Sequence, residues 1–287
     1  MDHSDTRPVH REHSDSACAL LRSNTAGANA VRDTGPGTGP GAAGQAEARA
    51  PITINLARLQ QMGMVTPDGG RSSAAEDFRI IKRPLLRSAL AATSAGAVNG
   101  KLIVVTSALP GEGKTWCAVN LALSMAMEKD HRVLLVDADV ARPSVLKLLG
   151  LAPAPGLMEH LLSERHSLAD LILRTNIANL SLLPAGRPDP HATELLASQA
   201  MRALLADIAS RYADRIVIFD SPPLLLTSEA SVLASQMGQV VMVVESEATT
   251  QRDVKEALRR LETCARVELI CNKTRAFPGA GYYGYYD

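Results

Sequence analysis

The chain predicts an α/β fold: a doubly wound, mainly parallel sheet with helices on both faces. Three observations predict it. Short apolar runs rich in Val, Ile and Leu recur at 102–106, 132–136, 179–183, 215–219, 239–244 and 267–271, the pattern of strands buried on both faces. Helix-favouring segments fall between them, at about 114–129, 143–150, 156–163, 192–212, 228–236 and 251–264, and strand–helix alternation implies a parallel sheet covered on both sides. The third is the stretch 102–120, L-I-V-V-T-S-A-L-P-G-E-G-K-T-W-C-A-V-N, where a strand, a Gly-rich turn and a helix start follow one another.

Size and composition bound the rest. With 287 residues, the chain is one large domain or two small ones. It is 46% hydrophobic but only 3% aromatic, so the core is aliphatic. A formal net charge of zero argues against nucleic acid as a partner. Cys18, Cys117, Cys264 and Cys271 show no paired spacing, and Cys117 and Cys271, in apolar segments, read as buried thiols of a reducing cytoplasm. No apolar run reaches a membrane span of about 20 residues, and the polar N-terminus carries no signal-peptide core.

In chain order, residues 1–50 lack apolar periodicity and include G-P-G-T-G-P-G-A-A-G, so a disordered arm is expected. Residues 51–100 form a helical segment. A first helix is expected over 52–64, from Ile52, Leu56, Leu59 and Met62, ended by Pro67, Asp68, Gly69 and Gly70. A second runs from about Ser73 to about Arg83, where Pro84 ends or restarts it. Glu76, Arg79 and Lys82 repeat every three residues and so share one side of that helix. The core follows over 101–272, and 273–287 is a flexible tail.

The motifs sit at the carboxyl ends of the strands, where such sheets bind ligands. Leu109, Pro110, Gly111, Glu112, Gly113, Lys114, Thr115 and Trp116 form a phosphate-binding loop and helix start. Glycines let backbone N–H groups wrap phosphate oxygens, Lys114 reaches the β/γ-phosphates, and Thr115 offers its hydroxyl to magnesium. Ala108 stands where the consensus G-x-x-x-x-G-K-[ST] has its first glycine. The second strand runs into Asp137 and Asp139, which can hold magnesium or accept a proton, or else cap the following turn. The strand R-I-V-I-F delivers Asp220, a Walker B position supporting the magnesium shell. Asn272, ending the last strand, either reads an adenine edge through its amide or serves as a turn residue. Four of the five tyrosines, Tyr282, Tyr283, Tyr285 and Tyr286, cluster among glycines at the end of the chain. From Lys273 the extended tail reaches about 45 Å, at roughly 3.4 Å per residue.

With these residues in hand, the chain resembles the bacterial tyrosine kinases (BY-kinases) of capsule and exopolysaccharide systems, and looks closest to the exosortase-associated tyrosine autokinases. The likeness covers about 73–287. T-S-A-L-P-G-E-G-K-T is similar to the family's Walker A, V-D-A-D-V-A-R-P to its second acidic motif, and F-D-S-P-P to its Walker B. In the second motif Ala141 stands where the family's first arginine would be, with Arg142 one residue later. The Tyr-rich end is similar to the family's phosphorylation cluster. E-D-F-R-I-I-K resembles its ring-contact motif, with Lys82 keeping the charge of the last arginine but not its bidentate fork.

The resemblance implies a P-loop NTPase fold and an ATP- and Mg²⁺-dependent kinase acting in trans on its own tail within a ring. It further implies a membrane polysaccharide co-polymerase as a separate activator, a cognate phosphatase, and a cytoplasmic, peripheral place at the inner membrane through that partner. Within it, Lys114, Asp137, Asp139 and Asp220 are catalytic: Thr115, Asp139 and Asp220 order the metal and Asp137 takes the tyrosine proton. The alternatives are a partitioning-type ATPase switch, which would carry a lysine where Leu109 stands, and a non-catalytic nucleotide-dependent scaffold.

Overall fold

The computed structural model describes residues 50–94, 99–163, 166–212 and 214–274. The expected N-terminal arm and the tyrosine cluster lie outside the described residues. In chain order the elements are α1 (Leu56–Gln61), α2 (Ser73–Ser94), β1 (Leu102–Ser107), α3 (Lys114–Ala126), β2 (Arg132–Asp137), α4 (Val145–Leu149), α5 (Leu157–Leu162), α6 (Leu168–Leu171), β3 (Leu173–Arg174), β4 (Leu180–Leu183), α7 (Ala192–Leu196), α8 (Gln199–Arg211), β5 (Arg215–Asp220), α9 (Glu229–Ser235), β6 (Gln239–Glu245), α10 (Gln251–Arg259) and β7 (Val267–Asn272).

The strands form one sheet in the order β3-β4-β2-β5-β1-β6-β7, parallel throughout except for the short edge pair β3–β4. Alternation along each strand splits the core in two. Leu102, Val104, Leu134, Val136, Val217 and Phe219 face a layer holding α5, α8 and α9. Ile103, Val105, Val133, Leu135, Ile216 and Ile218 face α2, α3 and α4. This is the doubly wound, two-faced sheet the alternation predicts. Register places Asp137 directly opposite Asp220, and Asp220 opposite Val105 of β1, so the acidic strand ends and the loop after β1 meet at one edge.

Several local expectations are corrected. The helix expected over 192–212 is two, because Ser198 takes the N-cap role and accepts from the Met201 N–H. Pro84 does not end the second helix; α2 runs through it to Ser94. Phe78, Lys82, Leu85 and Ala89 are buried on one face, on both sides of the proline, and the buried Gln239 amide donates to the Leu85 carbonyl. Tertiary anchoring of this kind outweighs one missing helical bond. The first helix is shorter than expected: before Leu56 the chain is extended, with Ile52 bridging Thr175 and Ile54 exchanging hydrogen bonds with the Asn176 side chain. Cys117 is buried as expected, but Cys271 is exposed, because β7 is an edge strand whose alternate residues Leu269 and Cys271 face outward.

Candidate active site

The loop after β1 needs two left-handed residues, Gly111 (φ 89°) and Gly113 (φ 91°), a conformation side chains resist. Gly113 has a second reason to be glycine. A Cβ there would lie 2.2 Å from the Asn272 amide nitrogen, which donates to the Glu112 carbonyl at 2.8 Å. Asn272 therefore spends one of its two amide N–H donors on the loop, and its other N–H and its amide oxygen carry the expectation of an adenine contact. The Glu112 carboxylate likewise turns into the protein. It is 2% exposed and accepts from the Leu109 N–H at 2.5 Å, the Glu245 N–H at 3.3 Å and the Thr249 hydroxyl. The Trp116 ring packs on Phe78 of α2, centroids 5.6 Å apart, so what it can offer a ligand is its main-chain N–H at the start of α3. Pro110 and Gly111 are exposed at the tip of the loop.

Lys114 is the cation of the site. Its ammonium lies 2.6 Å from Asp139 and 3.9 Å from Asp220. Burial works against its charge, but Asp220, then Asp139, more than offset this, and its pKa is raised. The Thr115 hydroxyl donates to Asp220 at 2.7 Å and shares a 3.0 Å hydrogen bond with the Ser144 hydroxyl. One Asp137 oxygen accepts the N–H groups of Ser144 and Val145, both at 3.0 Å, the first free donors of α4. The capping reading of that aspartate holds: one oxygen caps the turn, and the other has no hydrogen-bond partner among the described residues. Burial first, then the charge of Asp220, pushes Asp137 up to about 7. Burial likewise carries Asp220 up to about 6 against the pull of Lys114. Among the described residues the second Asp220 oxygen, 3.9 Å from the Lys114 ammonium, also lacks a hydrogen-bond partner.

These hard oxygen donors, a threonine hydroxyl and two carboxylates, fit magnesium, which takes one or two carboxylates together with phosphate oxygens and water. Sequence reading missed Ser144. Its signal was a serine directly before V-L-K-L-L, an N-cap position.

Lys82 was expected beside Glu76 and Arg79 on an oligomer contact. Glu76 is exposed and Arg79 half-buried, the two ion-paired with each other, but Lys82 is buried. It donates to the Ser124 carbonyl at 2.7 Å and pairs with Glu128 at 2.5 Å. Ser124 lies in the last turn of α3, where unpaired carbonyls concentrate negative potential. Lys82 caps the helix whose other end carries the phosphate loop, so of the three residues expected on an oligomer contact it does not lie at the surface.

A phosphate cradle at a helix N-terminus, a buried lysine and two facing acidic strand ends define a P-loop protein built for phosphoryl chemistry. Residues 100–272 match a family model described as an AAA domain. The chain is 35% identical over 191 residues to the tyrosine-protein kinase YwqD of Bacillus subtilis, covering 65% of this chain and 79% of that protein. It is 31% identical over 192 residues to the tyrosine-protein kinase wzc of Salmonella typhimurium, covering 66% of this chain but 26% of that protein. The kinase domain of Escherichia coli tyrosine kinase ETK superposes with a TM-score of 0.65 at 27% identity, covering 77% of this chain and 84% of that one. The chimerical protein CapA2B2 does so with a TM-score of 0.60 at 28% identity, covering 75% and 97%. The chain belongs to the bacterial tyrosine-protein kinases, within the AAA domain family.

Proposed function

We propose that the chain is an autokinase that transfers the γ-phosphoryl group of ATP to Tyr282, Tyr283, Tyr285 and Tyr286 of a neighbouring copy. The observation that carries this reading is the Asp137 carboxylate: one oxygen fixed by two backbone donors, the other without a hydrogen-bond partner, and a pKa of about 7. A base of that strength is half ready at neutral pH, which a phenol with a pKa near 10 requires. Asp137 and Lys147 form part of the wall of a cavity of about 430 Å³, lined elsewhere by apolar side chains such as Pro143, Leu146, Leu151 and Pro153. A largely apolar slot with the Asp137 acceptor at its wall suits a phenol, a flat apolar body with a hydroxyl at its tip.

In this reading Lys114 leaves Asp139 for the β/γ-oxygens, where its charge offsets what develops in transfer. Asp139, so released, joins Thr115 and Asp220 as the residues that would hold Mg²⁺. The bound ion would neutralise phosphate charge. The tyrosine proton passes to the unbonded oxygen of Asp137, the phenol oxygen bonds to the γ-phosphorus, and the bond to the departing ADP oxygen breaks. Asn272, at the end of β7, lies against the loop, and the chain from Lys273 onward, if fully extended, would span roughly 45 Å, enough for a neighbour's site.

The wider setting follows from the same reading. It comprises a ring of copies joined in part through Glu76 and Arg79, a membrane polysaccharide co-polymerase as activator, and a phosphatase that resets the tail. The chain would be cytoplasmic, held at the inner membrane through its partner, and would regulate exopolysaccharide polymerisation and export. Mass spectrometry of the tail after incubation with Mg-ATP, with and without the activator's cytoplasmic segment, tests it. Phosphate on residues 282–286 is expected in the wild type and none in Lys114→Met. Nucleotide hydrolysis with an unmodified tail would hand the site to the partitioning-type switch.

A further inference from the structure

Glu112 presents a physical difficulty that the kinase reading leaves unexplained. A carboxylate in the middle of a phosphate-binding loop opposes the ligand's own negative charge. Its burial answers the difficulty, because the carboxylate is turned to the far side of the loop. It is met there only by donors: Leu109 N–H from within the loop, Glu245 N–H from the end of β6, and the Thr249 hydroxyl from the turn before α10. The Thr249 hydroxyl accepts from the Glu245 N–H at 3.2 Å, which turns its own proton toward Glu112. The loop is thus closed on itself and tied to the neighbouring strand through one side chain.

We propose that Glu112 and Thr249 form a positioning pair that sets nucleotide affinity by holding the phosphate loop in its binding shape before nucleotide arrives. Between Leu109 and Lys114 the chain passes through two glycines in the left-handed region, and an untethered glycine segment loses the most backbone freedom on ordering. If the brace is intact, that cost is met in folding. If it is cut, the cost falls on each binding event, and the apparent affinity drops by the fraction of loops in the competent shape. The chemical step, which starts from bound nucleotide, is unaffected. Affinity and turnover therefore separate, which a general loss of structure would not produce.

Thr249 is the decisive position, because its substitution changes no charge near the phosphates. In the full chain with Mg²⁺ and a fluorescent ATP analogue, Thr249→Val is expected to weaken binding about ten- to a hundredfold, the worth of one hydrogen bond to a charged group. The KM for ATP should rise in parallel, with kcat within about twofold. Thr249→Ser, which keeps the hydroxyl, is expected to bind as the wild type does. Adding Thr249→Val to Glu112→Gln should cost less than it costs alone, since the partner is already altered. Wild-type affinity in Thr249→Val, or equal losses in the Val and Ser variants, overturns the proposal. So does a fall in kcat at unchanged affinity, which would put the pair in the reaction itself. The binding readout depends only on the loop taking nucleotide, so an unmodified tail would sink the kinase reading and leave this inference standing.

Discussion

At the scale of single residues, Asp137 sets function against stability. Its folded pKa of about 7 lies above the roughly 3.9 of an unfolded aspartate. Between those values the folded chain keeps a proton that the unfolded chain has lost, so stability falls as pH rises through that window and the full cost is present above it. In metal-free protein, Asp137→Asn is therefore expected to raise the melting temperature at pH 8, by about 2–4 °C per kcal/mol recovered, and to change little at pH 4. The asparagine oxygen can still accept from Ser144 and Val145, so the cap on α4 survives. The same variant is expected to lose about 10²-fold or more in tail phosphorylation, the share of a general base. Thermal melts at the two pH values and a phosphotyrosine assay check both halves. Undiminished phosphorylation would remove Asp137 as the base.

Among the elements, α2 divides two roles that its periodicity ran together. Lys82→Met removes a buried ammonium from the Ser124 carbonyl and from Glu128, and is expected to cost about 1–3 kcal/mol of stability without changing assembly below its melting point. Glu76→Ala with Arg79→Ala removes only an exposed pair, worth less than about 1 kcal/mol. It should leave melting nearly unchanged while giving monomers by light scattering; a ring that persists would refute the contact. The contrast shows what sequence could and could not carry. Spacing of three puts side chains on one side of a helix, but which side meets the core depends on α3 packing across it, a contact between segments far apart in the chain. The parallel strands at β1, β2, β4, β5, β6 and β7 were legible because each is a local run of branched apolar residues. The edge strand β3, of two residues, has no local pattern to read. In the site, Lys114, Thr115, Asp137, Asp139 and Asp220 were legible from strand ends and loop chemistry. The inward turn of Glu112 and the capture of the Asn272 amide were not, since both depend on β6 and β7 lying beside the loop.

On the scale of the whole molecule, charge is the quantity that phosphorylation changes most. The chain is formally neutral, and among the described residues no helix is long and apolar enough to cross a membrane. No large net charge therefore sets copies of the chain against one another in the proposed assembly through α2. Each phosphotyrosine adds about −1.5 to −2 charges, so four on one tail add roughly −6 to −8. In the proposed ring, those charges would gather where each tail enters its neighbour's site, against the carboxylates of Asp137, Asp139 and Asp220. Like charge at that contact disfavours the occupied state, so phosphorylation is expected to release the tail and loosen the ring. Light scattering of the wild type should show large assemblies when dephosphorylated and smaller species after Mg-ATP. Replacing Tyr282, Tyr283, Tyr285 and Tyr286 together by Phe keeps the rings but removes the acceptors, and that variant should stay assembled under the same Mg-ATP treatment. If it dissociates as the wild type does, nucleotide binding at the loop, and not charge on the tail, governs the assembly.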